Sequence, residues 1–196
     1  MPSLTRTQKR QKETKERIFR VAMELFKQKG FENTTVAEIT EAADIGKGTF
    51  FTYFSTKEAI FRQPGEVAME DMFLAAQEGL EKGKPVAKIL KSVMTVSAAW
   101  HESNKDITQQ MSKSSFAFSM DAESSNKGKL LELLVQLIVA GQKSGEFKSK
   151  INVQDAAILL VGMYFTVLAF WAHSDNGSLR EKMELSVDVI LTGLQA

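Results

Sequence analysis

Residues 34–61 read TTVAEITEAADIGKGTFFTYFSTKEAIF, and the fold is legible from them almost residue by residue. Thr35 and Glu38 stand at capping-box spacing, where each side chain satisfies a backbone N–H at a helix start, so a helix is predicted to open near Val36. Ile39, Ala42 and Ala43 follow at helical spacing. The pattern then breaks at Asp44, Ile45 and Gly46, three residues suited to a tight turn with one apolar anchor directed inward. A second short helix over residues 47–53 has Phe50 and Phe54 as its apolar side, which leaves Lys47, Gly48, Thr49, Thr52 and Tyr53 on the outer surface. Two short helices around a tight turn, the second presenting small polar side chains, are the parts of a helix-turn-helix whose second helix enters the major groove of DNA.

Working outward, Ile18, Val21, Ala22, Leu25 and Phe26 form an apolar stripe, so a first helix is expected over residues 13–29, ended by Gly30. Upstream of it Arg6, Lys9, Arg10, Lys12, Lys15, Arg17 and Arg20 outnumber Glu13 and Glu16, which suggests a flexible basic arm able to track phosphates. The net charge of +1 hides this asymmetry: residues 1–62 hold 12 Lys/Arg against 8 Asp/Glu, a net +4, and the remainder 13 against 16, a net −3.

The ordered match over these residues resembles the TetR family of one-component repressors, whose pattern reads roughly T-V-x-x-I-A-x-x-A-G-V-S-K-G-T-hydrophobic-Y-x-Y-F-x-x-K-E-x-L. It extends upstream through Ile18, Ala22, Leu25, Phe26, Gly30 and Phe31 and covers about the first third of the chain. Thr40 stands for a small Ala, Asp44 for the turn Gly, Gly46 for a Ser and Phe51 for a Tyr. Asp tolerates the left-handed conformation and Gly serves as a helix N-cap, so the motif survives these changes. Phe51 lacks the hydroxyl that a family Tyr usually gives to a phosphate. The resemblance implies an all-α fold: an N-terminal three-helix DNA-binding domain (residues 1–56) and a C-terminal helical domain for ligand binding and dimerisation (residues 57–196).

The remainder fits an all-α reading, with prolines only at 2, 64 and 85. A helix over residues 57–80 is expected to kink or split at Pro64-Gly65, and an amphipathic helix to run over 86–102. Further helices are expected over 104–111, 129–143 (weakened at its end by Gly141 and Gly145), 155–171 and, after a second capping box at Ser178 and Glu181, as far as residue 194. Residues 112–127 are read as helix ends and loop. The uncharged run 156–172 is at the short limit for a membrane span and contains Gly162, Tyr164 and Thr166, which favours a buried helix. With Met183, Val187, Ile190, Leu191 and Leu194 in a stripe on the last helix, the final pair suits a four-helix homodimer interface.

Gly48 is expected to let the backbone approach DNA closely, Thr49 to present hydroxyl and methyl to base edges, and Lys47 to contact guanine or phosphate. Thr35, Thr52, Tyr53 and Lys57 are assigned to the sugar-phosphate backbone, helped by the positive end of a helix starting near Lys57. Ile45, Phe50 and Phe54 belong to the core of the motif, and Phe51 either packs or touches a thymine methyl. Met69, Met72, Phe73, Met94, Trp100, Met111, Phe116, Phe118, Met163, Tyr164 and Trp171 are the soft apolar side chains that would line a pocket for a small hydrophobic effector; for each, a plain core role is the alternative.

Two histidines, no cysteine and no phosphate-cradling glycine loop leave no constellation for catalysis, metal or cofactor. The function expected is a cytoplasmic repressor that binds a palindromic operator as a dimer and is released by a ligand. A same-fold DNA-binding protein of chromosome or division control, and an apolar-ligand carrier with a vestigial DNA module, are the alternatives.

Overall fold

The computed structural model describes residues 5–113, 126–174 and 177–195. Among them are ten α-helices, a short 3-10 helix and no strand beyond the isolated bridge between Phe147 and Gln195. The chain divides into two compact units, residues 1–63 and 64–196.

The first unit contains α1 (Arg6–Lys29), α2 (Val36–Ala42), α3 (Lys47–Tyr53) and the 3-10 helix (Glu58–Phe61). The basic segment expected to be a flexible arm is helical: α1 starts at Arg6 rather than at the expected residue 13, because Thr5 and Gln8 form a complete capping box and the residues after it are good helix formers. Ile18, Ala22, Met23 and Phe26 bury its inner face, and Gly30, at φ 84°, ends it in a conformation that glycine adopts without strain. The unit closes on two aromatic groups, Phe26, Phe31 and Phe61 with centroids 5.0–5.4 Å apart, and Phe50 with Phe54 at 5.8 Å. Burial of Ala59, Ile60 and Phe61 carries the compact unit to residue 63, beyond the boundary expected at 56.

The second unit holds α4 (Arg62–Glu81), α5 (Val86–Thr95), α6 (Ala98–Ser103), α7 (Lys105–Lys113), α8 (Asn126–Ser144), α9 (Val153–Ala172) and α10 (Leu179–Leu194). Met72, Leu90, Met94, Leu134, Leu137, Leu160 and Val187 lie at the centre of its core. The segment expected to kink or split at Pro64-Gly65 does split, a few residues earlier: the 3-10 helix ends at Phe61 and α4 begins at Arg62, with Pro64 in its first turn, where no helical N–H is lost. The helix expected over 86–102 is broken between α5 and α6. There Ser97 turns its hydroxyl to the Tyr164 hydroxyl at 2.7 Å, both side chains being buried. Gly141 is a packing residue: a Cβ there would lie 2.2 Å from the buried Phe147 ring.

Two carboxylates reach across the sequence to cap helices. Glu146 accepts from the Val86 and Ala87 N–H groups at 2.9 and 3.2 Å, capping α5 where Pro85 has no side-chain donor or acceptor to offer. At α10 the expected reciprocal box is half made: Ser178 accepts from the Glu181 N–H but gives its hydroxyl proton to Glu102, 2.8 Å away. α9 is long and apolar enough to cross a membrane by length and composition. Its reading as a buried helix holds on one face only, because Ile158, Leu159 and Phe170 are exposed.

Candidate nucleic-acid interface

The site is built from the ends of two short helices. The Thr35 hydroxyl accepts from the Glu38 N–H while the Glu38 carboxylate accepts from the Thr35 N–H at 2.8 Å, so α2 starts at the expected residue. Lys29 also donates to Glu38. That bond, then those from the Thr35 N–H and hydroxyl, hold the Glu38 carboxyl at about 2. At the other end of α2, Asp44 takes φ 50°, the left-handed turn expected of it, and Gly46 caps α3 through extended backbone. Ile45 is only half-buried, a weaker anchor than its apolar character suggested.

α3 turns Phe50, fully buried, against the core and leaves Lys47, Gly48, Thr49, Phe51 and Thr52 exposed, with Tyr53 half-buried. A Cβ at Gly48 would meet nothing within 4 Å, so internal packing does not require glycine there. Thr52 donates to the Gly48 carbonyl at 3.0 Å and keeps its lone pairs as acceptors. Phe51 is 53% exposed, with its ring edge-on to Phe50 at 5.4 Å between centroids.

Lys57 departs most from its assignment. The α-helix expected to start beside it begins at Arg62, so no α-helical N-terminus adds its dipole at Lys57. The half-buried side chain folds back, and its ammonium donates to the carbonyls of Phe31 and Thr34 at 2.6 and 2.9 Å.

Among the described residues the effector candidates differ in burial. Met72 and Met94 are sealed in the core, and Tyr164 is buried there with its hydroxyl pushed up to about 12 by burial, which the Ser97 hydrogen bond offsets in part. Trp171 is packed near the end of α9, its indole N–H donating to the Gly177 carbonyl at 3.1 Å. Trp100, Met111 and Met163 are half-buried, and Phe116 and Phe118 lie outside the described residues. Met69 and Phe73 line an open cleft of about 330 Å³ beside Glu66, Glu70, Leu74, Gln77, Asn126 and Lys129. Sequence reasoning named Met69 and Phe73 on the apolar side of this cleft but missed its polar rim, which comes from two helices far apart in the chain.

His101, also outside the expected set, is buried on α6, and its carbon-rich surroundings push it down to about 4, so it is neutral at neutral pH. Thr108 gives its proton to the Asn104 carbonyl at 3.0 Å, so the His101 Nδ1–H is the donor in the 3.0 Å bond between them. For Glu102 burial acts upward, but hydrogen bonds from Ser178 and the Arg180 and Leu179 N–H groups together outweigh it and set the carboxyl below its ordinary range.

Residues 18–63 match the sequence profile of the bacterial regulatory proteins of the tetR family. The HTH-type transcriptional regulator YdgC of Bacillus subtilis (strain 168) is 30% identical over 156 residues, 77% of this chain and 77% of its own. The chain belongs to the TetR family. It is therefore a helix-turn-helix transcriptional regulator and not an enzyme. TcmR of Streptomyces glaucescens, another HTH-type regulator, is 39% identical over 71 residues, covering 36% of this chain and 31% of TcmR. Among solved structures, the TetR-family repressor FadR of Thermus thermophilus, in complex with lauroyl-CoA, superposes with a TM-score of 0.71 at 26% identity, over 93% of this chain and 95% of that one.

Proposed function

We propose that this TetR-family regulator is a repressor that binds a palindromic operator as a homodimer, in the cytoplasm, and leaves it when a small apolar ligand binds the unit of residues 64–196. The observation that carries the DNA half of this reading is the outward face of α3. Lys47, Thr49, Phe51 and Thr52 are exposed around a glycine that internal packing does not explain, on a frame whose first helix starts in a complete capping box. In this reading Thr49 reads base edges, Phe51 meets a thymine methyl, Lys47 takes guanine or phosphate, and Thr35, Thr52 and Tyr53 bond phosphates. The basic α1, helical from Arg6, adds phosphate attraction from a rigid element.

Dimerisation is supported by the exposed apolar side chains of the last two helices. Leu159 and Phe170 stand three turns apart on one face of α9, and Leu185 and Val189 one turn apart on α10. The apolar effector is supported by the Met69, Phe73 and Leu74 side of the cleft and by the acyl-CoA bound to the Thermus relative. Selection from random duplex DNA tests the reading: a two-fold symmetric consensus is expected, and recovery of an asymmetric or unselected pool rejects it. Lauroyl-CoA added to the recovered duplex is expected to weaken binding; unchanged binding across acyl chain lengths rejects the acyl class of effector.

A further inference from the structure

The loop of residues 30–35, which joins α1 to α2, turns its carbonyls toward side chains. The Asn33 amide donates to the Lys29 carbonyl at 3.0 Å and the buried Thr34 hydroxyl to the Gly30 carbonyl at 2.8 Å. Two further carbonyls, of Phe31 and Thr34, are held by the Lys57 ammonium, from 26 and 23 residues along the chain. The same ammonium lies 4.1 Å from the centroid of the Phe31 ring, which packs between Phe26 and Phe61. Charge-assisted bonds of this length are roughly twice as strong as neutral ones, and the ring face adds a cation–π attraction.

The Thr34 carbonyl belongs to the peptide that leads into Thr35, the N-cap whose extended backbone sets the first turn of α2. Lys57 follows α3, so its clamp ties the chain leaving the motif to the chain entering it. An ammonium has three protons, and two are spent inside the protein. From this geometry we infer that Lys57 is a positioning residue: it fixes the start of α2, and through α2 the placement of α3, and it does not neutralise a DNA phosphate. The inference rests on the DNA-docking role proposed for α2 and α3.

The two roles differ in salt dependence. Loss of a phosphate contact removes about one unit from the slope of log affinity against log salt and weakens cognate and random DNA alike. Loss of a positioning residue leaves the slope and spoils the fit that only cognate DNA uses. The full chain and its Lys57→Ala and Lys57→Met variants would be titrated with the duplex selected by the wild type and with a random duplex of equal length, across a KCl series. The variants are expected to bind the selected duplex about tenfold more weakly, the random duplex within about twofold of wild type, and with the wild-type slope.

Without DNA, amide exchange at residues 38–39, whose N–H groups bond to Thr35, is expected to accelerate in Lys57→Met, which keeps an apolar stem beside Phe31. A slope lowered by about one with equal loss on both duplexes, or wild-type affinity together with wild-type exchange, overturns the inference. Failure of the wild type to bind any duplex rejects instead the DNA-docking reading on which it rests.

Discussion

The two compact units finish their surfaces differently. In residues 1–63 the apolar side chains are consumed by a local core, and among its described large hydrophobics Phe51 alone is strongly exposed, on the face assigned to DNA. In residues 64–196 Val67, Phe73, Leu74 and Leu80 on α4, Ile158, Leu159 and Phe170 on α9, and Leu185 and Val189 on α10 all remain exposed. A soluble surface bears single apolar residues at no special cost, but runs of them at helical spacing mark surfaces that await a partner. The contrast teaches that the first unit is complete as a folded object and offers a polar reading surface, whereas the second keeps apolar faces that its own helices do not cover.

The most damaging test of that contrast removes the aromatic centre of the first unit. Phe61→Ala is expected to cost about 4 kcal/mol, from lost transfer energy plus the cavity left beside Phe26 and Phe31. In urea unfolding followed by a probe in each unit, the loss should appear in residues 1–63 and leave the second transition in place; equal shifts of both would show the units to be one cooperative body.

Acid separates the units next. His101 is neutral and pushed down to about 4 in the folded second unit, against an ordinary 6.5, so its contribution is complete above pH 6.5 and is lost as pH falls toward 4. About 3 kcal/mol should disappear over that window, and His101→Gln should flatten it. Glu38 in the first unit is depressed from 4.5 to about 2, so its contribution is present above pH 4.5 and is lost only below that. Thermal melts across pH should therefore show the second unit failing first; a first unit that weakens between pH 6.5 and 4.5 would break the comparison.

Charging the uncovered faces sharpens it. Leu159→Glu is expected to shift a dimer toward monomer in analytical ultracentrifugation and to weaken binding to a two-fold site by at least about tenfold, because one half-site no longer supports the other. An unchanged sedimentation coefficient would remove α9 from the interface. The smallest effect belongs to the reading face: Thr49→Ala should cost about 1 kcal/mol on the selected duplex and relax preference at one base pair of each half-site, with the salt slope unchanged. Equal losses on selected and random DNA would assign Thr49 to the backbone.

Local chemistry explains which features could be read from the chain. The cap at Thr35, the left-handed Asp44 and the inward Phe50 each depend on residues within a few positions, and the structure has them as read. The same signal was available and overlooked at Thr5 and Gln8, where a capping box turns the supposed arm into helix. What local pattern does not carry is the partner of a long side chain. Lys57 stands at a position where charge alone suggests phosphate, and only the return of the chain to Phe31 and Thr34 reveals its carbonyl partners. Gly141 reads as a weak helix end until Phe147 is seen against it, and Glu102 has no visible connection with Ser178, 76 residues on. The methionines and aromatics proposed as a single lining share a composition, and composition does not distinguish sealed Met94 from cleft-facing Met69.

By itself the sequence determined the all-α class, the two short helices and their turn, and the family, because helix periodicity and capping are interactions among neighbours in the chain. The tertiary structure decided which charges are spent inside, where the first unit ends, and which faces of α4, α9 and α10 stay open. Those outcomes depend on contacts between residues tens of positions apart, and no local pattern records them.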